Sequence, residues 1–161
     1  MIIGLYYGQI RGEYNAIDMI AQFDPSALVM VVVMPYYGKA RFQLLPPPRP
    51  EDSARVILHA RKSLPKRPVV IGCARPAGPE RIRFDLNSLY AGVNVITFPA
   101  EGIYTHAKSL GLNPIISPNC CSTVFCIKCY CSTSSTLLFF ALPSSVEFAL
   151  RAMEADKVLT F

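Results

Sequence analysis

The chain has 161 residues, enough for one domain with a real core, and is 52% hydrophobic with 17% charged residues, which excludes an intrinsically disordered chain. Its mean hydropathy of +0.32 is apolar for a free monomer of this size and points to a surface meant to be covered. The formal charge of +5 is scattered, and Arg55, Arg61, Lys62, Lys66 and Arg67 read as a solvated helix face and its exit, so no nucleic-acid partner is expected.

Met1 runs directly into the apolar stretch Ile2 to Tyr7, which reads as a strand stopped at Gly8, with no signal peptide expected. Glu13 to Gln22 carries Tyr14, Ile17, Asp18, Met19 and Ile20 at amphipathic helical spacing, and Asp24-Pro25-Ser26 turns the chain. Leu28 to Met34 predicts a fully buried strand. It leaves through Pro35-Tyr36-Tyr37-Gly38 into a loop, Lys39 to Pro50, stiffened by Pro46, Pro47 and Pro48. Pro50-Glu51-Asp52 starts a second helix, with proline early and acids in the first turn against the dipole.

Val69-Val70-Ile71 is a β-branched run bounded by prolines, too short for a helix, and reads as a strand buried on both faces. It ends in the small residues Gly72 and Ala74, followed by Arg75, a cation at the carboxyl end where α/β proteins build their sites. Pro79-Glu80 opens a third helix whose expected buried stripe is Ile82, Leu86, Leu89 and Tyr90, with Gly92 as its left-handed cap. Val93 to Phe98 is a fourth strand, and Ile103 to Leu110 a short helix closed by Gly111.

Strand and helix thus alternate four times, and helix-length connections demand parallel strands. An open doubly wound sheet and part of a (β/α)₈ barrel both satisfy that order. Gly4, Gly8 and Gly12 do not form a dinucleotide fingerprint, and no phosphate-binding Walker loop occurs. A complete barrel takes ~250 residues. The expectation is therefore an α/β fold, four parallel β-α units forming a half or partial TIM-type barrel over residues 1–118.

Residues 119–161 read as a separate Cys/Ser-rich extension that does not continue this rhythm. Thr136 to Leu142 fits a strand or a buried helix turn, and Ser144 with Glu147 fits the capping box of a last helix. Cys126, Cys129 and Cys131 are candidate metal ligands, with the two-residue gap of zinc ribbons but no second pair. The favoured alternative is a low-complexity or aberrant extension, a shifted reading frame after Ser122 being one form of it. Cys73 stands alone and reads as a small buried core residue. No apolar run reaches membrane-spanning length, so a cytoplasmic location with reduced thiols and no membrane partner is expected.

Four strings occur in order over residues 2–121: Ile3-Gly4-Leu5-Tyr6-Tyr7-Gly8, Val32-Val33-Met34-Pro35 leading to Gly38, Gly72-Cys73-Ala74-Arg75-Pro76, and Ala91-Gly92-Val93-Asn94-Val95-Ile96. Together they resemble the C-terminal half of radical S-adenosylmethionine enzymes, specifically biotin-synthase-like and archaeal lipoyl-synthase-like members. The resemblance implies that the strings lie on strands five to eight of a barrel. It implies S-adenosylmethionine and a [4Fe–4S] cluster as cofactors, with Gly4, Leu5 and Tyr6 beside the adenosine. It also implies that Arg75 points into the barrel as a catalytic residue, and that a small-molecule substrate undergoes sulfur insertion or related radical chemistry.

The Cys-x3-Cys-x2-Cys motif that holds the family's cluster does not occur in this chain. The resemblance therefore implies a fragment or subunit, inactive alone, with a second chain or self-association completing the barrel. Two other readings stand beside it: a non-catalytic α/β partner subunit using its edge strands as an interface, and a small metal-binding protein organised by the tail cysteines. Several residues keep two roles open at this point. Arg75 is a site cation or a salt-bridge partner. Glu101 and His106 reach the same rim or sit exposed. Tyr6, Tyr7, Tyr36 and Tyr37 stack on a ligand or close the mouth of the core.

Overall fold

The computed structural model describes residues 1–34, 46–117 and 137–141. Strand β1 (Ile2–Ile3) is short because Gly4 takes φ +78°, outside the extended region, so the expected run to Tyr7 becomes a loop. Helix α1 (Glu13–Ala21) follows, then β2 (Leu28–Val32). Helix α2 (Pro50–Ser63) starts as its sequence dictates, with Pro50 in the first turn beside Glu51 and Asp52. After β3 (Val69–Ile71) comes α3 (Pro79–Tyr90), closed by Gly92 at φ +86°. Strand β4 (Val95–Thr97) leads into α4 (Ile103–Ser109). Two further strands, β5 (Asn113–Ser117) and β6 (Leu137–Ala141), complete the described elements.

The strands form one sheet in the order β1-β2-β3-β4-β6-β5. The first four are parallel, with Ile2 opposite Val31, Val29 opposite Val70, and Val70 opposite Val95. Each crossover steps to the next strand, and right-handed crossovers taken in one direction keep their helices on one face. A doubly wound sheet reverses direction; this one does not. Accordingly α1 packs on α2, α2 on α3, and α3 on α4. The fold is α/β with four parallel β-α units and an open sheet, consistent with a partial parallel β/α barrel.

The core lies between this helix row and one face of the strands. Ile3, Met30, Val32, Val69, Ile71 and Ile96 meet Ile17, Ile57, Phe84, Leu89 and Ile103 there. Val70 and Val95 are also buried but lie outside that cluster, on the second face by the alternation of the strands.

One-sided winding corrects the expectation that β2 is buried throughout. Leu28, Met30 and Val32 are buried, while Val29 and Val31, on the face without helices, are half-buried. The expected stripe of α3 also shifts. The helix buries Phe84, Asp85, Ser88 and Leu89, whereas Ile82 is exposed, because the core face carries a carboxylate with a buried partner. Strand β5 was not foreseen, since Pro114 and two isoleucines give no alternation. Of the run from Thr136 to Leu142, the described residues Leu137–Ala141 form strand β6, which lies antiparallel between β4 and β5.

Candidate functional site at the carboxyl rim

The carboxyl ends of β1 to β4 open on one rim, where the strand-to-helix loops gather. The loop after β1 is tied to itself: Gly8 N–H donates to Gly4 O at 2.9 Å, and Gln9 N–H to Tyr6 O at 2.9 Å. Glu13, buried at the start of α1, accepts Gly4 N–H at 2.8 Å and Arg11 N–H at 2.5 Å. The proline-rich strap closes over this loop. A Cβ at Gly8, whose φ is +75°, would lie 2.0 Å from Pro46 O, and one at Gly4 would lie 2.7 Å from Pro48 Cδ. Only glycine fits beneath the strap.

Gly4 is therefore buried and engaged by its own loop, while Leu5 and Tyr6 are 68% and 45% exposed at the rim. Arg11 stands 4.6 Å from the centre of the Tyr6 ring, and Tyr7 meets the same ring edge-on at 5.3 Å. A pair of aromatic rings beside a cation offers a stacking surface. Tyr36 and Tyr37 lie outside the described residues, as do Cys126, Cys129 and Cys131.

Arg75 is held in a buried ion pair. Its Nε donates to Asp85 Oδ1 at 2.7 Å and its Nη2 to Asp85 Oδ2 at 3.1 Å, and neither side chain meets solvent. Its remaining bonds run to Gly72 O at 2.8 Å and Phe98 O at 2.7 Å. Asp85 also accepts Ala100 N–H at 2.8 Å. Burial lowers the guanidinium's pKa from its ordinary value, and the carboxylate opposes that shift. The arrangement clasps the ends of β3 and β4 to α3. Of the two roles open to Arg75, the geometry realises the salt bridge; none of these four bonds leads to open space.

Cys73 is exposed, which corrects its reading as a core residue: β3 ends at Ile71, so the thiol lies beyond the sheet. His106 is committed to Tyr90, its Nε2 lying 2.7 Å from the phenolic oxygen. Glu101 is exposed in the loop between β4 and α4.

Among the described residues, two open hollows lie on the rim. One, of about 450 Å³, is bounded by Gly8, Gln9, Tyr14, Arg49, Asp52 and Arg55. Asp52 is spoken for there by Arg49 at 2.9 Å and Arg55 at 3.6 Å. The other, of about 530 Å³, lies between the start of α3 and the loop after β4. Gly78, Arg81, Ile82, Phe98 and Glu101 are among the residues that bound it.

Sequence reasoning missed Glu13, Asp85 and Arg81. Each is a charge on a helix's first or second turn, which reads as a solvated position unless its partner is known. Among the described residues no group of three His, Cys, Asp or Glu side chains is placed to hold a metal ion. Cys73 is their only free cysteine, so they do not supply the thiolate set of a [4Fe–4S] cluster. Comparison with protein-family models, curated proteins and solved structures finds no match to this chain.

Proposed function

We propose that this chain is one half of a β/α barrel, contributing S-adenosylmethionine and substrate surface to an enzyme of the radical S-adenosylmethionine, biotin-synthase-like group. The observation that carries the reading is the sheet order. Four parallel strands follow one another without reversal, their helices lie on one face, and the sheet does not close. The described residues of the four strings that resemble the family fall on or beside these strands in the same order. At the end of β1, exposed Leu5 and Tyr6 offer an apolar and aromatic surface suited to an adenine.

The cluster and its thiolates belong, in this reading, to a second chain. That chain meets the β1 edge, because the far side of β4 is taken by β6. Exposed apolar side chains gather at this end of the sheet: Ile2 on β1, Met19 on α1, and Phe23, which is 82% exposed just beyond it. The same observation favours a second reading, in which the chain is a partner subunit that binds no cofactor.

Titration with S-adenosylmethionine separates the two. Saturable binding by calorimetry, abolished in Leu5→Asp and Tyr6→Ala variants of unchanged melting temperature, is the expected result. An absence of binding, or binding indifferent to both variants, would remove the cofactor role and leave the partner subunit.

A further inference from the structure

The wall of the hollow beside α3 is held in an uncommon backbone conformation. Phe98, the residue after β4, has φ +48°, a left-handed value that bulky residues rarely adopt. Its carbonyl accepts hydrogen bonds from both Arg75 and Arg81, and two residues later Asp85 holds Ala100 N–H. The segment is thereby fixed from α3, and its apolar side chain, 38% exposed, bounds the hollow with Ile82, which is 44% exposed. A strained position maintained by several contacts is a feature of ligand clamps.

The same hollow is bounded by two charges of opposite sign, Arg81 from α3 and Glu101 from the loop after β4. Neither forms an ion pair among the described residues, with each other or with another group. Arg81 makes one side-chain hydrogen bond there, to Phe98 O, and its Nε has no acceptor. The volume of about 530 Å³ falls within the range of small-ligand sites.

We infer that this hollow binds a small zwitterion, an α-amino acid with an apolar side chain. The carboxylate is received by the guanidinium of Arg81, the ammonium by the carboxylate of Glu101, and the side chain by Ile82, Phe98 and Pro99. Opposite charges that bound one cavity without reaching each other favour a ligand carrying both. An acid alone faces Glu101 with like charge, and an amine alone faces Arg81 in the same way. The site goes beyond the cofactor surface proposed above, which lies on the same rim but beside β1, at the other side of the row of four parallel strands.

The test titrates the full chain with L-leucine, with 4-methylpentanoate, which lacks the amine, and with 3-methylbutylamine, which lacks the carboxylate. L-leucine is expected to saturate in the millimolar range, with each analogue at least about tenfold weaker, as loss of one charge-assisted contact implies. Glu101→Gln, at an exposed position, should weaken L-leucine by about tenfold without weakening 4-methylpentanoate. Arg81→Gln should weaken L-leucine without weakening 3-methylbutylamine. If Arg81→Gln fails to fold, the Glu101 variant decides alone. Equal binding of all three ligands, no saturation by L-leucine, or an unchanged affinity in Glu101→Gln would overturn the assignment.

Discussion

Arg75 and Asp85 meet through two hydrogen bonds in a region without solvent, and each also anchors a neighbouring backbone group. Burying both charges costs desolvation that their attraction offsets, so the pair by itself adds little. Removing one partner is different, because the other charge then stays buried alone. Arg75→Ala and Asp85→Ala should each lose about 3–5 kcal/mol of stability in urea unfolding. A joint Arg75→Met and Asp85→Leu replacement should recover most of that loss. If Arg75→Ala left stability intact while altering ligand binding, the guanidinium would belong to the site and not to the clasp. The cation was legible in the sequence as a strand-end residue with two possible roles. Its acid was not: Asp85 sits between Phe84 and Leu86 on a helix, and the pattern alone assigns such an acid to solvent.

Elements are joined by exposed charges as well as by the core. The turn between α1 and β2 is tied to the entry of β3 by Arg67, whose Nε donates to Asp24 Oδ1 at 2.7 Å, with a second bond from Nη2 to Oδ2. The hydrogen bonds from Arg67 hold the Asp24 carboxyl below its ordinary pKa. With the folded pKa depressed, the unfolded chain binds more protons between the two values, so stability there rises with pH. The contribution is complete above an unfolded aspartate value of about 3.9 and is lost as pH falls through the lower folded value. Urea midpoints of the wild type and Asp24→Asn should differ near neutrality and converge in strong acid. A difference that persists unchanged in acid would count against the clamp. The helix starts themselves were readable, because Pro50 and Pro79 act locally. Which face each helix buries was less so: α1 leaves Tyr14 and Met19 exposed despite their helical spacing.

At the scale of the molecule the edges of the sheet matter most. β5 carries Pro114 at one edge, a device that discourages further pairing, and β1, with two paired residues, is the other edge. Between them β6 covers β4, pairing Val95, Ile96 and Thr97. A chain ended after Ser117 would leave that buried strand with an open edge. It should show a higher mean mass by light scattering than the full chain at equal concentration. An unchanged mass would mean that β6 is dispensable to the sheet.

By itself the sequence determined the local elements. Prolines and acids marked the starts of α2 and α3, glycines the ends of α3 and α4, and short β-branched runs the four parallel strands, because these signals act within a few residues. The tertiary structure alone decided that the winding never reverses, that a strand from the segment after residue 118 enters the sheet, and that Arg75 is matched by Asp85. It also decided that Arg81 and Glu101 bound one hollow. Those outcomes depend on contacts between residues far apart in the chain, where periodicity carries no information about the partner.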